Sequence, residues 1–126
     1  MNVVDSSGWL EYFAAGPNAD FFAEAVEATD ELIVPTVSLY EVFKRVLQQR
    51  GEGDALQAIA LMQQGAVIEL TSPIALDAAR TSAALGLPMA DSIILATARA
   101  YQATLWTQDS DFARIEGVKY VAHESP

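Results

Sequence analysis

Cysteine is absent from the 126 residues of this chain. Disulfides, zinc–thiolate centres and thiol catalysis are therefore excluded, and any metal has to bind oxygen ligands. Long apolar runs are also missing, because no stretch reaches the roughly 18 residues that can span a bilayer. The N-terminus lacks the basic segment of a secretory signal peptide. We therefore expect no membrane association and a cytoplasmic location.

Positive charge is scarce. Seven Lys and Arg stand against seventeen Asp and Glu, which gives a formal charge of −10 and an isoelectric point near 4.2. Proteins that bind nucleic acid by counterion release usually carry a basic stripe instead. Contact with a nucleic acid would therefore need divalent cations and local basic residues, of which Lys44, Arg45 and Arg50 form the one local cluster. An acidic surface also suits a basic protein partner.

Hydrophobic residues make up 52% of the chain and charged residues 19%, which favours a globular protein. The length predicts one domain over 1–126. Apolar segments that predict strands alternate with segments of helical periodicity. The predicted strands are 3–4, 32–34, 66–70, 104–107 and 119–122. The predicted helices begin near Ser7 and cover 19–28, 36–50, 54–64, 72–86 and 88–102, with a helical turn at 112–115. This α/β pattern predicts a mainly parallel sheet with helices on both faces.

Four acidic residues fall where such a fold binds ligands, beyond the carboxyl ends of its strands. Asp5 and Asp109 each follow a predicted strand. Glu41 and Asp91 lie in the first turns of two predicted helices, and Glu41 is about 170° from the middle of the apolar stripe of its helix. We therefore expect four carboxylates from four separate segments to converge at one edge of the sheet.

Such a cluster needs a cation. Two carboxylates about 4 Å apart repel by about 4 kcal/mol at an effective dielectric constant near 20. A divalent ion bound between them makes the total electrostatic energy of the cluster favourable. Oxygen ligands with open positions suit Mg²⁺ or Mn²⁺, which can activate water and neutralise a phosphoryl group. The predicted reaction is phosphodiester hydrolysis.

Each acid also has a purely structural explanation. Asp5 can cap the first helix. Glu41 can complete a capping box that begins at Ser38, or it can pair with Arg45 one turn later. These explanations stay open at the level of sequence.

The same holds for the remaining candidates. Asp91 can complement a helix dipole, and Asp109 can cap a turn. His123, the one histidine, is interpreted as a surface residue. Both tryptophans and Tyr40 are interpreted as residues that pack against other side chains rather than as platforms for base stacking. Charge reversal at the basic cluster would test whether it guides RNA toward Glu41.

Four stretches, in this order and spacing, give the sequence a family resemblance: 3–7, 37–42, 85–98 and 105–112. Together they resemble a PIN domain, and among PIN domains the VapC-type toxins of toxin–antitoxin pairs. The resemblance covers nearly the whole chain. It implies a three-layer α/β/α sandwich and a ribonuclease that uses a metal-activated water. It also places Asp5, Glu41, Asp91 and Asp109 in the acidic metal site, which serves catalysis.

The resemblance further implies accessory residues and partners. Ser6 or Ser7 and Thr107 match hydroxyl positions beside the site, and Asp111 is interpreted as supporting or structural. The implied partners are an RNA substrate, a cognate antitoxin protein and a second copy of the chain in a homodimer.

Two other functions remain open. The first is a binding module of the same fold that does not cleave. The second is a phosphoacceptor receiver domain, which normally has paired acids after the first strand and a lysine after the last. Here Asp5 is followed by Ser6 and Ser7 rather than by a second acid, and Lys119 lies at the start of the last predicted strand rather than after it. Both residues therefore depart from the receiver pattern.

Overall fold

Strands and helices alternate along residues 1–125, the part of the chain that the computed structural model describes. The strands are β1 (Asn2–Val4), β2 (Leu32–Pro35), β3 (Ala66–Ile68), β4 (Thr104–Thr107) and β5 (Val118–Tyr120). The α-helices are α1 (Ser6–Phe13), α2 (Ala19–Val26), α3 (Thr36–Arg50), α4 (Glu52–Met62), α5 (Ser72–Leu85) and α6 (Met89–Ala100). Short 3₁₀ turns occupy Thr29–Glu31 and Ser110–Phe112.

The five strands form one sheet in the order β3-β2-β1-β4-β5, and every pairing in it is parallel. In the central strand, Val3 pairs with Ile33 on one side and Leu105 on the other. The predicted α/β fold class is confirmed. Because all strands run the same way, their carboxyl ends share one edge of the sheet.

Successive strand residues point to opposite faces, so each strand contributes to two cores. Val4 and Val34 pack against α1, α2, α3 and α4 on one face. Val3, Ile33 and Leu105 pack against α6 on the other face, where α5 adds a smaller cluster. The sheet is therefore enclosed between two helical layers, which gives the predicted α/β/α sandwich.

Several element boundaries differ from the predicted ones, and capping explains the clearest case. β3 ends at Ile68 rather than at residue 70. The Thr71 hydroxyl accepts a hydrogen bond from Ile74 N and starts α5, which takes the chain out of the sheet. The predicted helical turn at 112–115 lies instead at Ser110–Phe112. The last strand begins at Val118 and ends at Tyr120 rather than covering 119–122.

No single helix within residues 1–125 is long and apolar enough to cross a bilayer. In the same residues, α5 and α6 taken together have the length and apolar composition of a membrane span, but the chain bends by 119° between them.

Candidate metal centre

Asp5 lies directly after β1 and is almost completely buried, with 3% of its surface exposed. Its carboxylate accepts hydrogen bonds from Gly8 N at 2.9 Å, from Thr107 Oγ1 at 2.6 Å and from Ser7 Oγ at 3.0 Å. The bond from Gly8 makes Asp5 the N-cap of α1, as the structural explanation predicted. Capping therefore fixes the carboxylate at the edge of the sheet and does not exclude a second role there.

Gly8 permits the close packing that holds Asp5 in place. A Cβ atom at Gly8 would lie 2.6 Å from Phe22 Cε1 and 2.8 Å from Val4 Cγ1. Only glycine lets the first turn of α1 approach α2 and β1 this closely. The amide of Gly8 is thereby held within reach of Asp5.

Glu41 lies on α3 and is half-buried. Its Oε1 accepts a hydrogen bond of 2.6 Å from Ser6 Oγ at the start of α1. Ser38 lies inside α3, fully buried and without a capping hydrogen bond, so the capping-box explanation is excluded. Within residues 1–125, Glu41 and Arg45 form no ion pair, so the second structural explanation is excluded as well.

Asp91, Asp109 and Asp111 bring three more carboxylates to the same edge. Each offers an oxygen that lies within 4.8 Å of the others. Asp91 is in the first turn of α6, and Asp109 follows β4 and accepts a hydrogen bond from Asp111 N at 2.9 Å. Asp111 is exposed, yet it belongs to this acidic group more directly than its predicted supporting role implied.

The four predicted acids line one open cavity of about 460 Å³. They reach it from four different elements, as the sequence pattern predicted. The lining residues are Asp5, Ser6, Ser7, Leu10, Tyr40, Glu41, Lys44, Arg45, Gln48, Asp91 and Asp109.

Burial and mutual repulsion disturb the acidity of two of these groups. Burial raises the pKa of Asp5 from 3.8 to about 6, although hydrogen bonds from Thr107, Gly8 and Ser7 act against it. Burial also raises the pKa of Asp91 to about 6, and the charges of Asp109, Asp5, Glu41 and Asp111 add to the shift. These carboxylates are therefore close enough to oppose one another's ionisation.

Across the described chain, no lysine or arginine forms an ion pair with these acids; the one ion pair joins Arg80 and Asp77 on α5. The cluster thus combines oxygen donors, partial burial and uncompensated negative charge. That donor set fits a hard divalent cation such as Mg²⁺ or Mn²⁺.

The three predicted accessory hydroxyls all contact the acids. Ser7 and Thr107 donate to Asp5, whereas Ser6 donates to Glu41. Thr107 Oγ1 also accepts from Asp109 N at 2.9 Å, so this one hydroxyl connects two of the acidic residues. The hydroxyls orient the carboxylates rather than simply filling space beside them.

A buried polar network that the sequence did not reveal supports the loop after β4. Asn18 Nδ2 donates to Gln108 Oε1 at 2.9 Å and to the Ala122 carbonyl at 3.0 Å, and Asn18 N donates to Glu11 Oε2 at 2.8 Å. Gln108 stands between Thr107 and Asp109, so the network fixes the backbone that carries both. Asn18 follows Gly16 and Pro17 in the loop that connects α1 and α2. An asparagine is common in such a loop, so its residue type did not indicate this role.

The basic cluster predicted on α3 is divided by the fold. Lys44 and Arg45 line the acidic cavity, whereas Arg50 lines a separate groove against α1 and α4. His123 is exposed near the C-terminus, as predicted.

Comparison with known proteins identifies a family for this chain. A family model described as "PIN domain" matches residues 3–118. Among curated proteins, none matches the sequence significantly.

Solved structures show the same fold at low sequence identity. A toxin–antitoxin complex from Klebsiella pneumoniae is 22% identical, with a TM-score of 0.79 over 94% of this chain and 96% of that one. VapC20 from Mycobacterium tuberculosis, described as a sarcin–ricin loop cleaving toxin, is 15% identical, with a TM-score of 0.78 over 92% and 95%. VapBC2 from Rickettsia felis, bound to promoter DNA, is 14% identical, with a TM-score of 0.75 over 96% and 97%.

Proposed function

Because this chain belongs to the PIN domain family, we propose that it is a metal-dependent endoribonuclease, the toxin of a toxin–antitoxin pair. The observation that carries the proposal is the convergence of Asp5, Glu41, Asp91 and Asp109 in one cavity. No basic side chain within residues 1–125 pairs with them. Burying unpaired carboxylates together is costly unless a cation joins them.

Asp91, Asp109 and Asp111, whose carboxylate oxygens lie within 4.8 Å of one another, would hold the ion. Asp5 and Glu41 line the same cavity as Asp91 and Asp109 and would add further oxygen ligands. Mg²⁺ or Mn²⁺ fits oxygen donors that leave coordination positions open. When bound, such an ion lowers the pKa of a water molecule and neutralises charge on a phosphoryl group.

The chain's own residues supply orientation. Ser7, Gly8 and Thr107 hold Asp5 in one position at the edge of the sheet. Ser6 occupies one oxygen of Glu41, and the other has no protein hydrogen-bond partner in the described residues, so it is available to a water or an ion. Preorganised carboxylates avoid the cost of rearranging as the reaction proceeds.

The proposed partners are an RNA substrate, a cognate antitoxin and a second copy of the chain. Structures similar to this one include VapBC toxin–antitoxin complexes and a toxin that cleaves the sarcin–ricin loop. The net charge of −10 favours an antitoxin segment that is basic. We place this activity in the cytoplasm, where RNA and antitoxin would meet.

Cleavage of RNA tests the proposal directly. Purified protein is incubated with single-stranded and structured RNA in Mg²⁺, in Mn²⁺ or in EDTA. We expect cleavage only with metal, with loss of at least 100-fold in Asp5→Asn and Asp91→Asn. Asp77→Asn, which removes an exposed acid outside the cavity, is the matched control and should cleave normally.

The products and the metal affinity distinguish the alternatives. Attack by water leaves a 5′-phosphate and a 3′-hydroxyl, whereas a 2′,3′-cyclic phosphate would show that the 2′-hydroxyl attacked. Activity that survives EDTA or both substitutions would contradict the proposal. Thermal stabilisation by Mn²⁺ without cleavage of any RNA would favour a binding module of the same fold.

A further inference from the structure

Within residues 1–125, Tyr40 is the one aromatic residue that lines the acidic cavity. Its side chain lies on α3 beside Glu41 and is 64% exposed. Both tryptophans, by contrast, are buried in the core that covers one face of the sheet, with 0% exposure for Trp9 and 5% for Trp106. The aromatic surface at the mouth of the cavity therefore comes from Tyr40.

Two basic residues, Lys44 and Arg45, lie on α3 one helical turn after Tyr40 and Glu41. Lys44 and Arg45 are exposed and line the same cavity, and Lys44 Nζ lies 5.8 Å from the centre of the Tyr40 ring. At 1.5 Å per residue, the Cα atoms of Lys44 and Arg45 are about 4.5 and 6 Å along α3 from that of Glu41. In the described chain, neither of them is paired with a carboxylate. Their charge is thus available to a ligand that enters the cavity.

From this arrangement we propose that Tyr40, Lys44 and Arg45 form a nucleotide-binding subsite for single-stranded RNA. The inference rests on the proposed ribonuclease function and adds the form of the substrate. An unpaired base stacks on the Tyr40 ring, while Lys44 and Arg45 bind the phosphates that flank it. The phosphate to be cleaved then reaches the carboxylates of the cavity.

A single strand fits this subsite better than a duplex does. Stacking on an aromatic side chain requires a base whose face is free, and bases in a duplex are already stacked on their neighbours. A net charge of −10 repels RNA as a whole, so binding has to come from local contacts. Tyr40 contacts the substrate away from the reacting atoms and is therefore a positioning residue.

Binding without cleavage tests the subsite. Fluorescein-labelled oligo-adenylate and oligo-uridylate, and a labelled RNA duplex, are titrated with protein in Ca²⁺, and the dissociation constants are measured by fluorescence anisotropy. Tyr40→Ala should weaken single-strand binding by about 5- to 100-fold, and Tyr40→Phe should bind like the wild type. Lys44→Gln should lower the slope of log affinity against log salt by about 0.7.

Tyr101→Ala is the matched control, since Tyr101 is also exposed but lies at the opposite end of α6 from Asp91. It should leave binding unchanged. In Mg²⁺, Tyr40→Ala should raise KM and leave kcat nearly constant, because the reacting groups are intact.

The subsite and the proposed function fail in different ways. Unchanged single-strand affinity in Tyr40→Ala, an equal loss for the duplex, or no RNA binding by the wild type would overturn the subsite. The first of these results together with metal-dependent cleavage would leave the ribonuclease in place and assign Tyr40 to another role. Tyr40-dependent binding without cleavage would support the subsite and contradict the ribonuclease.

Discussion

The hydroxyl of Thr107 donates a hydrogen bond of 2.6 Å to Asp5 Oδ2 and so joins the carboxyl ends of β4 and β1. Burial raises the pKa of Asp5 to about 6, and this hydrogen bond is the largest contribution that lowers it. The bond therefore helps keep Asp5 ionised near neutral pH, where a cation would need its charge.

Replacing Thr107 by valine should therefore weaken metal binding near neutral pH. Without the hydroxyl the pKa of Asp5 rises further, and the pH at which metal affinity is half-maximal moves upward with it. Thr107→Ser keeps the donor and should stay close to the wild type. Isothermal titration with Mn²⁺ at a series of pH values measures the shift. An identical pH profile in Thr107→Val would show that Thr107 does not control Asp5.

Asp91→Asn should stabilise the metal-free protein at neutral pH. The pKa of Asp91 is raised from 3.8 to about 6, so the folded state binds this proton more tightly than the unfolded state. The resulting stabilisation is complete below about pH 4 and is lost as the pH rises through about 6. Asparagine removes the charge and should raise the free energy of unfolding by about 1 kcal/mol at pH 7. The gain is this small because Asp91 is only half-buried, so solvent screens part of the repulsion.

Urea unfolding in EDTA measures this effect at about pH 4 and about pH 7, and the gain should appear only at the higher pH. Asp77→Asn provides the control, since Asp77 is exposed and lies outside the cavity. Equal stability of Asp91→Asn and wild type at neutral pH would show that the cluster is not under electrostatic strain.

The sequence predicted the fold well wherever a local pattern dictates the structure. α3 begins at Thr36 and ends at Arg50 as predicted, because its apolar residues recur with helical spacing and Gly51 follows. The placement of Asp5 and Asp109 followed from strand ends alone, since parallel strands bring their carboxyl ends to one edge.

The details of the site depended on contacts between segments far apart in sequence, which no local pattern encodes. Glu41 is held by Ser6 of α1 rather than by a residue of its own helix. Asp111 joins Asp91 only because the turn after β4 faces the start of α6. On α3, Val42 and Val46 face the core, whereas Leu47, directly after Val46, is 41% exposed.

Ser38→Ala should leave the protein as stable as the wild type or up to about 1 kcal/mol more stable. The Ser38 hydroxyl is fully buried and has no hydrogen-bond partner, so it loses its hydration without compensation. Had Ser38 capped a helix, alanine would instead cost about 1 kcal/mol. Ser92→Ala is the matched control and should be destabilising, since the buried Ser92 hydroxyl donates to the Pro88 carbonyl at 2.8 Å. Urea unfolding measures the stability of both variants, and a clear loss of stability in Ser38→Ala would contradict the prediction.

Asn18 and Gln108 should prove energetically coupled, because each satisfies a buried polar group of the other. Asn18→Ala leaves Gln108 Oε1 and the Ala122 carbonyl without their donor, at a cost of about 1–3 kcal/mol. Gln108→Ala should cost a similar amount. The double substitution should cost at least about 0.5 kcal/mol less than the sum, since the second change no longer breaks an intact pair.

Cleavage by these variants separates a general loss of stability from a loss of site geometry. Gln108 lies between Thr107 and Asp109, so releasing it should loosen both and lower kcat even at temperatures where the variants remain folded. Gln102→Ala removes an exposed glutamine beyond the far end of α6 and should change neither the free energy of unfolding nor kcat. Additive stability losses with unchanged kcat would show that the Asn18–Gln108 hydrogen bond is incidental. Coupled losses with a reduced kcat would identify it as the support of the loop that carries Asp109.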